Sequence, residues 1–93
     1  MAKVAINGFG RIGRLFLRQA WEKKDIDIVV INDLGSCENL AYLLNYDSVY
    51  GGFDKKVSTK GGNLIIDGKE VQFLQEKDPL KLPWKALGID IVV

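Results

Sequence analysis

The sequence predicts an α/β chain built on a parallel sheet, and three observations carry that expectation. Val4-Ala5-Ile6, Ile28-Val29-Val30-Ile31 and Ile89-Asp90-Ile91-Val92-Val93 are short apolar runs, unbroken except at Asp90. Runs of this kind suit strands covered on both faces, which is the habit of parallel sheets with crossover helices. Between the first two runs lies an amphipathic segment of helical period, and a glycine-rich turn leads into it.

Taken in order, the first run ends at Asn7-Gly8 and a helix begins near Arg11. Ile12, Leu15, Phe16 and Ala20 fall at helical spacing and form its expected apolar stripe. Arg11, Arg14, Arg18 and Glu22 lie opposite, and Lys23-Lys24 in the last turn suit the helix dipole. Asn32-Asp33 ends the second strand. Ser36 is placed to cap a short helix that buries Leu40, Ala41, Leu43 and Leu44. The stretch from Asn45 to Asp54 reads as turns, and Lys55, Lys56 and Lys60 as a solvated loop.

The pattern then changes. Asn63-Leu64-Ile65-Ile66 and Lys69-Glu70-Val71-Gln72-Phe73-Leu74 flank Asp67-Gly68, the dipeptide that a two-residue hairpin turn requires. Pro79 and Pro83 punctuate the next loop, a single helical turn is expected around Trp84 to Leu87, and Gly88 can end it. The last apolar run is the third strand of the expected parallel sheet, with Asp90 an odd residue inside it. No helix follows it, so the chain reads as part of a larger domain.

Composition narrows the function. The chain has 93 residues, and its 13 Lys and Arg are nearly matched by 12 Asp and Glu, which leaves no basic face for nucleic acid or anionic membrane. No apolar run reaches the ~18 residues of a membrane span, and the N-terminus is unlike a signal peptide. A single cysteine, Cys37, excludes an internal disulfide and suits a reducing, cytoplasmic setting. Near a helix start its thiol pKa could fall, yet with no histidine in the chain the usual base for a cysteine nucleophile is missing. Cys37 therefore reads as a small packing residue, and neither a catalytic residue nor a metal site is expected.

Gly8-Phe9-Gly10-Arg11-Ile12-Gly13 is a G-x-G-x-x-G run in the context that gives the motif meaning, after a strand and opening a helix. Gly8 makes the turn, Gly10 leaves room for a pyrophosphate against the backbone, and Gly13 lets the helix approach the strand. Backbone N–H groups at Arg11 and Ile12 then face the phosphates from the positive end of the helix dipole. Asp33 ends the second strand about 20 residues on, where an acid accepts hydrogen bonds from ribose hydroxyls and repels a 2′-phosphate. Together these predict a Rossmann-type parallel sheet, the N-terminal half of an NAD-binding domain, with an inserted β-hairpin. NAD is favoured over NADP. Phe9 is expected to pack under the turn, and Trp21 and Trp84 to lie in the core or an interface.

Asn7-Gly8-Phe9-Gly10-Arg11-Ile12-Gly13-Arg14 resembles the opening of the phosphorylating glyceraldehyde-3-phosphate dehydrogenase family. The likeness continues through Ile31-Asn32-Asp33-Leu34, Tyr46-Asp47-Ser48, Asp67-Gly68-Lys69, Leu82-Pro83-Trp84 and Gly88-Ile89-Asp90-Ile91-Val92. It implies that Arg11 and Ile12 bind the pyrophosphate, that Asp33 holds the adenosine ribose with Asn32 beside it, and that Lys77 lies near the adenine. Lys77 stands where arginine is usual; Lys serves equally if the contact is made by the backbone, whereas a stacking or forked side-chain contact would be lost. Tyr50 and Gly52 depart from the family's usual histidine and basic residue.

The resemblance further implies a parent enzyme that oxidises and phosphorylates glyceraldehyde 3-phosphate to 1,3-bisphosphoglycerate in glycolysis, with NAD accepting hydride. It also implies a homo-tetramer. The nucleophilic cysteine, its partner histidine and the phosphate-binding residues correspond to positions beyond Val93, so this chain by itself is not expected to turn over substrate. Residues 1–93 would form the N-terminal part of the NAD-binding domain, without the catalytic domain. Two alternatives stand beside this reading. One is erythrose-4-phosphate dehydrogenase, which tends to carry Glu where Asp33 stands; the other is a nucleotide-binding module without chemistry.

Overall fold

A computed structural model describes residues 2–50 and 55–93. The elements run β1 (Ala2–Asn7), α1 (Arg11–Ala20), β2 (Ile26–Asn32), α2 (Cys37–Tyr50), β3 (Val57–Lys60), β4 (Asn63–Ile66), β5 (Lys69–Leu74), a short 3₁₀ turn (Pro79–Lys81) and β6 (Ile91–Val92). One sheet holds the strands in the order β3-β4-β5-β2-β1-β6. The β5-β2-β1-β6 part is parallel and β3-β4-β5 antiparallel. The architecture is the expected α/β one, a mostly parallel sheet of Rossmann type.

The hairpin is more closely joined to that sheet than expected. Its second strand, β5, is itself the third parallel strand: Val30, Ile31 and Asn32 of β2 pair with Gln72, Phe73 and Leu74. The turn between β4 and β5 has the predicted chemistry, with Asp67 at φ 52° and Gly68 at 81°. A second such turn precedes it. Gly61 and Gly62, at φ 58° and 84°, fold Val57–Lys60 back onto β4. Lys60 thus ends a strand instead of belonging to a loop. Lys55 pairs with Glu22, while Lys56 is exposed as expected.

Two helical expectations need correction. In α1 Ala20 is buried and Phe16 packs against the core as expected, but Gly13 and Leu17 complete that face, whereas Ile12 is 79% exposed and Leu15 43%. The reason is the close approach at Gly13, where a Cβ would stand 2.5 Å from the Gly8 carbonyl oxygen and 3.1 Å from Ile6 Cγ2. That contact turns the 13–17–20 face to the sheet. The second helix is longer than expected and runs through Asn45 to Tyr50. The Asn45 amide does not bend its own backbone. It donates to Val57 O (2.8 Å) and accepts from Val57 N–H (3.2 Å), serving β3 as a partner. Ser36 caps this helix as predicted, its Oγ accepting the Asn39 N–H at 3.0 Å. Only the backbone of Tyr50 is described, and Gly52 lies outside the described residues.

Val4, Ala5 and Ile6 are all buried, so β1 is covered on both faces, and Leu17, Ile31, Leu44, Leu64, Ile66 and Val71 fill the core with them. The last strand does not share that burial: Ile91, Val92 and Val93 are 52%, 43% and 43% exposed. Asp90 precedes β6 and fastens it. Its carboxylate accepts the Lys3 N–H at 2.8 Å while its own N–H donates to Lys3 O at 2.8 Å. The turn before it closes with Gly88 N–H on Lys85 O and Ile89 N–H on Trp84 O, with Gly88 at φ 68°.

Candidate dinucleotide-binding site

The site is built where three parallel strands end side by side. Asn7 ends β1, Asn32 ends β2, and the chain leaves β5 through Gln75, Glu76 and Lys77. The turn from β1 to α1 passes beside them. Gly8 takes φ 93°, closed to residues with a side chain at low cost, and its N–H donates to Asn32 O at 2.7 Å. Gly10 precedes the helix with φ −82° and no side chain caps the first turn. The N–H groups there have the orientation that suits an anion. A Cβ on Gly10 would meet nothing within 4 Å, so the space in front of it is open.

Asp33 stands against this turn. One carboxylate oxygen, Oδ2, accepts the Phe9 N–H at 2.7 Å, and Oδ1 accepts the Gly35 N–H at 2.8 Å. Phe9 itself is fully buried beneath the turn, as expected. Each carboxylate oxygen keeps a further lone pair, and Asp33 is half-buried, so it remains able to accept from ribose hydroxyls. An open cleft of about 340 Å³ lies between these residues, lined by Asn7, Gly8, Asn32, Asp33, Leu34, Glu76 and Lys77.

Of the residues singled out from sequence, the structure brings Asn7, Gly8, Asn32, Asp33 and Lys77 to this one cleft. Gly10, Arg11 and Ile12 are exposed at the start of α1, next along the chain from the cleft's Gly8, and do not line it. Gly13 is buried and touches β1 instead. Asn32 is 4% exposed, with its amide bonded to other parts of the chain. Sequence reasoning missed Leu34, Glu76 and Gln75. Leu34 is 66% exposed at the cleft, an apolar surface beside an acid, and the Gln75 amide donates to Gly35 O at 2.9 Å.

Cys37 lies away from this chemistry. It is buried at the start of α2, and burial, with the Glu38 charge beside it, pushes its thiol pKa up. That reverses the lowering expected of a helix start. No group of three or more His, Cys, Asp or Glu among the described residues could hold a metal ion. No helix among them is long and apolar enough to cross a membrane.

Comparison with known proteins agrees with this geometry. Residues 2–93 match the family described as glyceraldehyde 3-phosphate dehydrogenase, NAD binding domain. The chain is 56% identical over 95 residues to glyceraldehyde-3-phosphate dehydrogenase of Thermotoga maritima, covering 100% of this chain and 28% of that protein. It is 56% identical over 94 residues to glyceraldehyde-3-phosphate dehydrogenase 1 of Kluyveromyces marxianus, with 100% and 29% covered. With the Salmonella typhimurium enzyme it shares 51% over 90 residues, 97% of this chain and 27% of the relative. The chain thus spans under a third of the length of these relatives. The match over residues 2–93, with relatives 51–56% identical across nearly the whole chain, makes this chain a member of the glyceraldehyde-3-phosphate dehydrogenase family, in its NAD-binding domain.

Proposed function

We propose that this chain supplies the N-terminal part of the NAD-binding domain of an enzyme that oxidises and phosphorylates glyceraldehyde 3-phosphate to 1,3-bisphosphoglycerate. The observation that carries the reading is the Asp33 carboxylate held against the Gly8–Gly10 turn at the cleft. NAD, when bound, supplies the hydride acceptor. Gly10 leaves its backbone approachable, and the N–H groups of Arg11 and Ile12 face the pyrophosphate. Asp33 accepts from the ribose hydroxyls and repels a 2′-phosphate. Asn7, Gly8 and Lys77 shape the cleft, Asn32 supports it, and Gly13 holds α1 against β1.

No catalytic residue is assigned within residues 1–93. A homo-tetramer in the cytoplasm is the assembly and location that the family reading favours. The test uses the full-length protein with NAD, inorganic phosphate and either aldehyde, followed by absorbance of the reduced cofactor. Faster turnover of glyceraldehyde 3-phosphate than of erythrose 4-phosphate supports the proposal. The reverse order assigns the chain to the erythrose-4-phosphate enzymes, and saturable NAD binding without turnover of either leaves a binding module.

A further inference from the structure

We infer that Asn32 acts as a positioning residue, setting the Glu76–Lys77 wall of the cleft against Asp33, and does not itself contact the dinucleotide. The inference rests on the dinucleotide reading of the site. Asn32 is 4% exposed, and its amide is almost fully committed within the chain. The Nδ2 group donates to Asn7 Oδ1 and to Glu76 O, each at 3.0 Å. Oδ1 accepts the Glu76 N–H at 2.9 Å. An amide has two donor hydrogens, and both are used; only one acceptor lone pair is left over.

The placement of those bonds gives the residue its role. The β2–β5 ladder ends at the pair Asn32 and Leu74, with Asp33 N–H on Leu74 O at 3.0 Å. Beyond it the backbone of Glu76 has no strand to pair with, and the Asn32 side chain takes that place by binding both its N–H and its C=O. Lys77 follows directly, so the position of the cleft wall relative to Asp33 is set by one buried side chain. Gln75 adds a weaker tie from the exposed side through Gly35 O. Asn32→Asp would keep the bond from the Glu76 N–H and lose both donors, placing carboxylate oxygens against Asn7 Oδ1 and Glu76 O.

Calorimetric titration of the full-length protein with NAD and with ADP-ribose tests this, because affinity and the fraction of competent sites are read separately. Asn32→Asp and Asn32→Ala are expected to weaken both ligands by a common factor of about tenfold, with stoichiometry unchanged. Gln75→Ala, at an exposed side chain, is the variant that folds in any case, and about a twofold loss is expected for both ligands. Wild-type affinity in Gln75→Ala, or wild-type affinity with reduced stoichiometry in the Asn32 variants, would mean that these amides only stabilise the fold, and overturns the inference alone. A wild-type protein that binds neither ligand overturns the dinucleotide reading and the inference with it.

Discussion

Asp33 Oδ2 accepts the Phe9 N–H at 2.7 Å, across 24 residues of sequence. The bond joins the end of β2 to the middle of the glycine turn, so the acid proposed to face the ribose also shapes the loop proposed to face the phosphates. With Oδ1 on the Gly35 N–H, the same carboxylate reaches the turn before α2 as well. Charge-assisted bonds of this kind are the stronger ones, and both are partly buried.

Asp33→Asn is therefore expected to act twice. One amide NH₂ must face a backbone N–H that the carboxylate oxygen accepted, loosening the turn, and the charge that repels a 2′-phosphate is gone. NAD affinity should fall by about tenfold or more while NADP affinity rises or holds. Competitive titration of the two cofactors checks this, and an unchanged NAD to NADP ratio contradicts the ribose role.

Gly13→Ala is expected to destabilise the fold. Its Cβ would stand 2.5 Å from a backbone carbonyl oxygen that cannot rotate away, so α1 must shift from β1. The cost should be roughly 1–3 kcal/mol, the usual range for overpacking. Thermal melts read it directly, and an unchanged melting temperature would show that helix and strand approach less closely than described.

The face that α1 turns to the core is tested by two leucine-class truncations. Leu17 is fully buried, so Leu17→Ala should cost about 2–5 kcal/mol. Ile12 is 79% exposed, and Ile12→Ala should stay within about 0.5 kcal/mol. Urea unfolding separates the two, and similar losses at both positions would restore the stripe expected from sequence.

Cys37 should be slow to alkylate. Burial and Glu38 raise its thiol pKa, so the folded state holds the proton more tightly than the unfolded chain. That contribution to stability is complete below the ordinary thiol pKa and is lost as pH rises through the raised one. Iodoacetamide labelling followed by mass at neutral pH should be at least about tenfold slower folded than unfolded. Equal rates would place the thiol at the surface.

Much of this was legible in the chain itself. The strand–glycine turn–helix unit, Asp33 at the end of β2, the Ser36 cap and the Asp67-Gly68 turn all rest on local chemistry, and local chemistry is what a sequence displays. What escaped depends on contacts made outside each element. The 13–17–20 face of α1 is chosen by contact with Ile6 and Gly8, not by the period of its apolar residues. The length of α2 depends on Asn45 meeting Val57, and the parallel pairing of β5 depends on β2. β3 had a visible signal in Gly61-Gly62, but its polar residues Ser58, Thr59 and Lys60 masked it. In the site, Leu34 and Glu76 carry no nucleotide-binding signal of their own and join the cleft because three strand ends meet there.

Gly10 gives the most direct test of the dinucleotide site. It has ordinary φ and open space where a Cβ would go, so Gly10→Ala should leave the melting temperature within about 2 °C of wild type. The added methyl would stand where the pyrophosphate is proposed to approach. NAD titration of the two proteins should then show an affinity loss of about tenfold or more with the fold intact. Unchanged NAD affinity in an equally stable Gly10→Ala protein would contradict the assignment of the glycine turn to the phosphates.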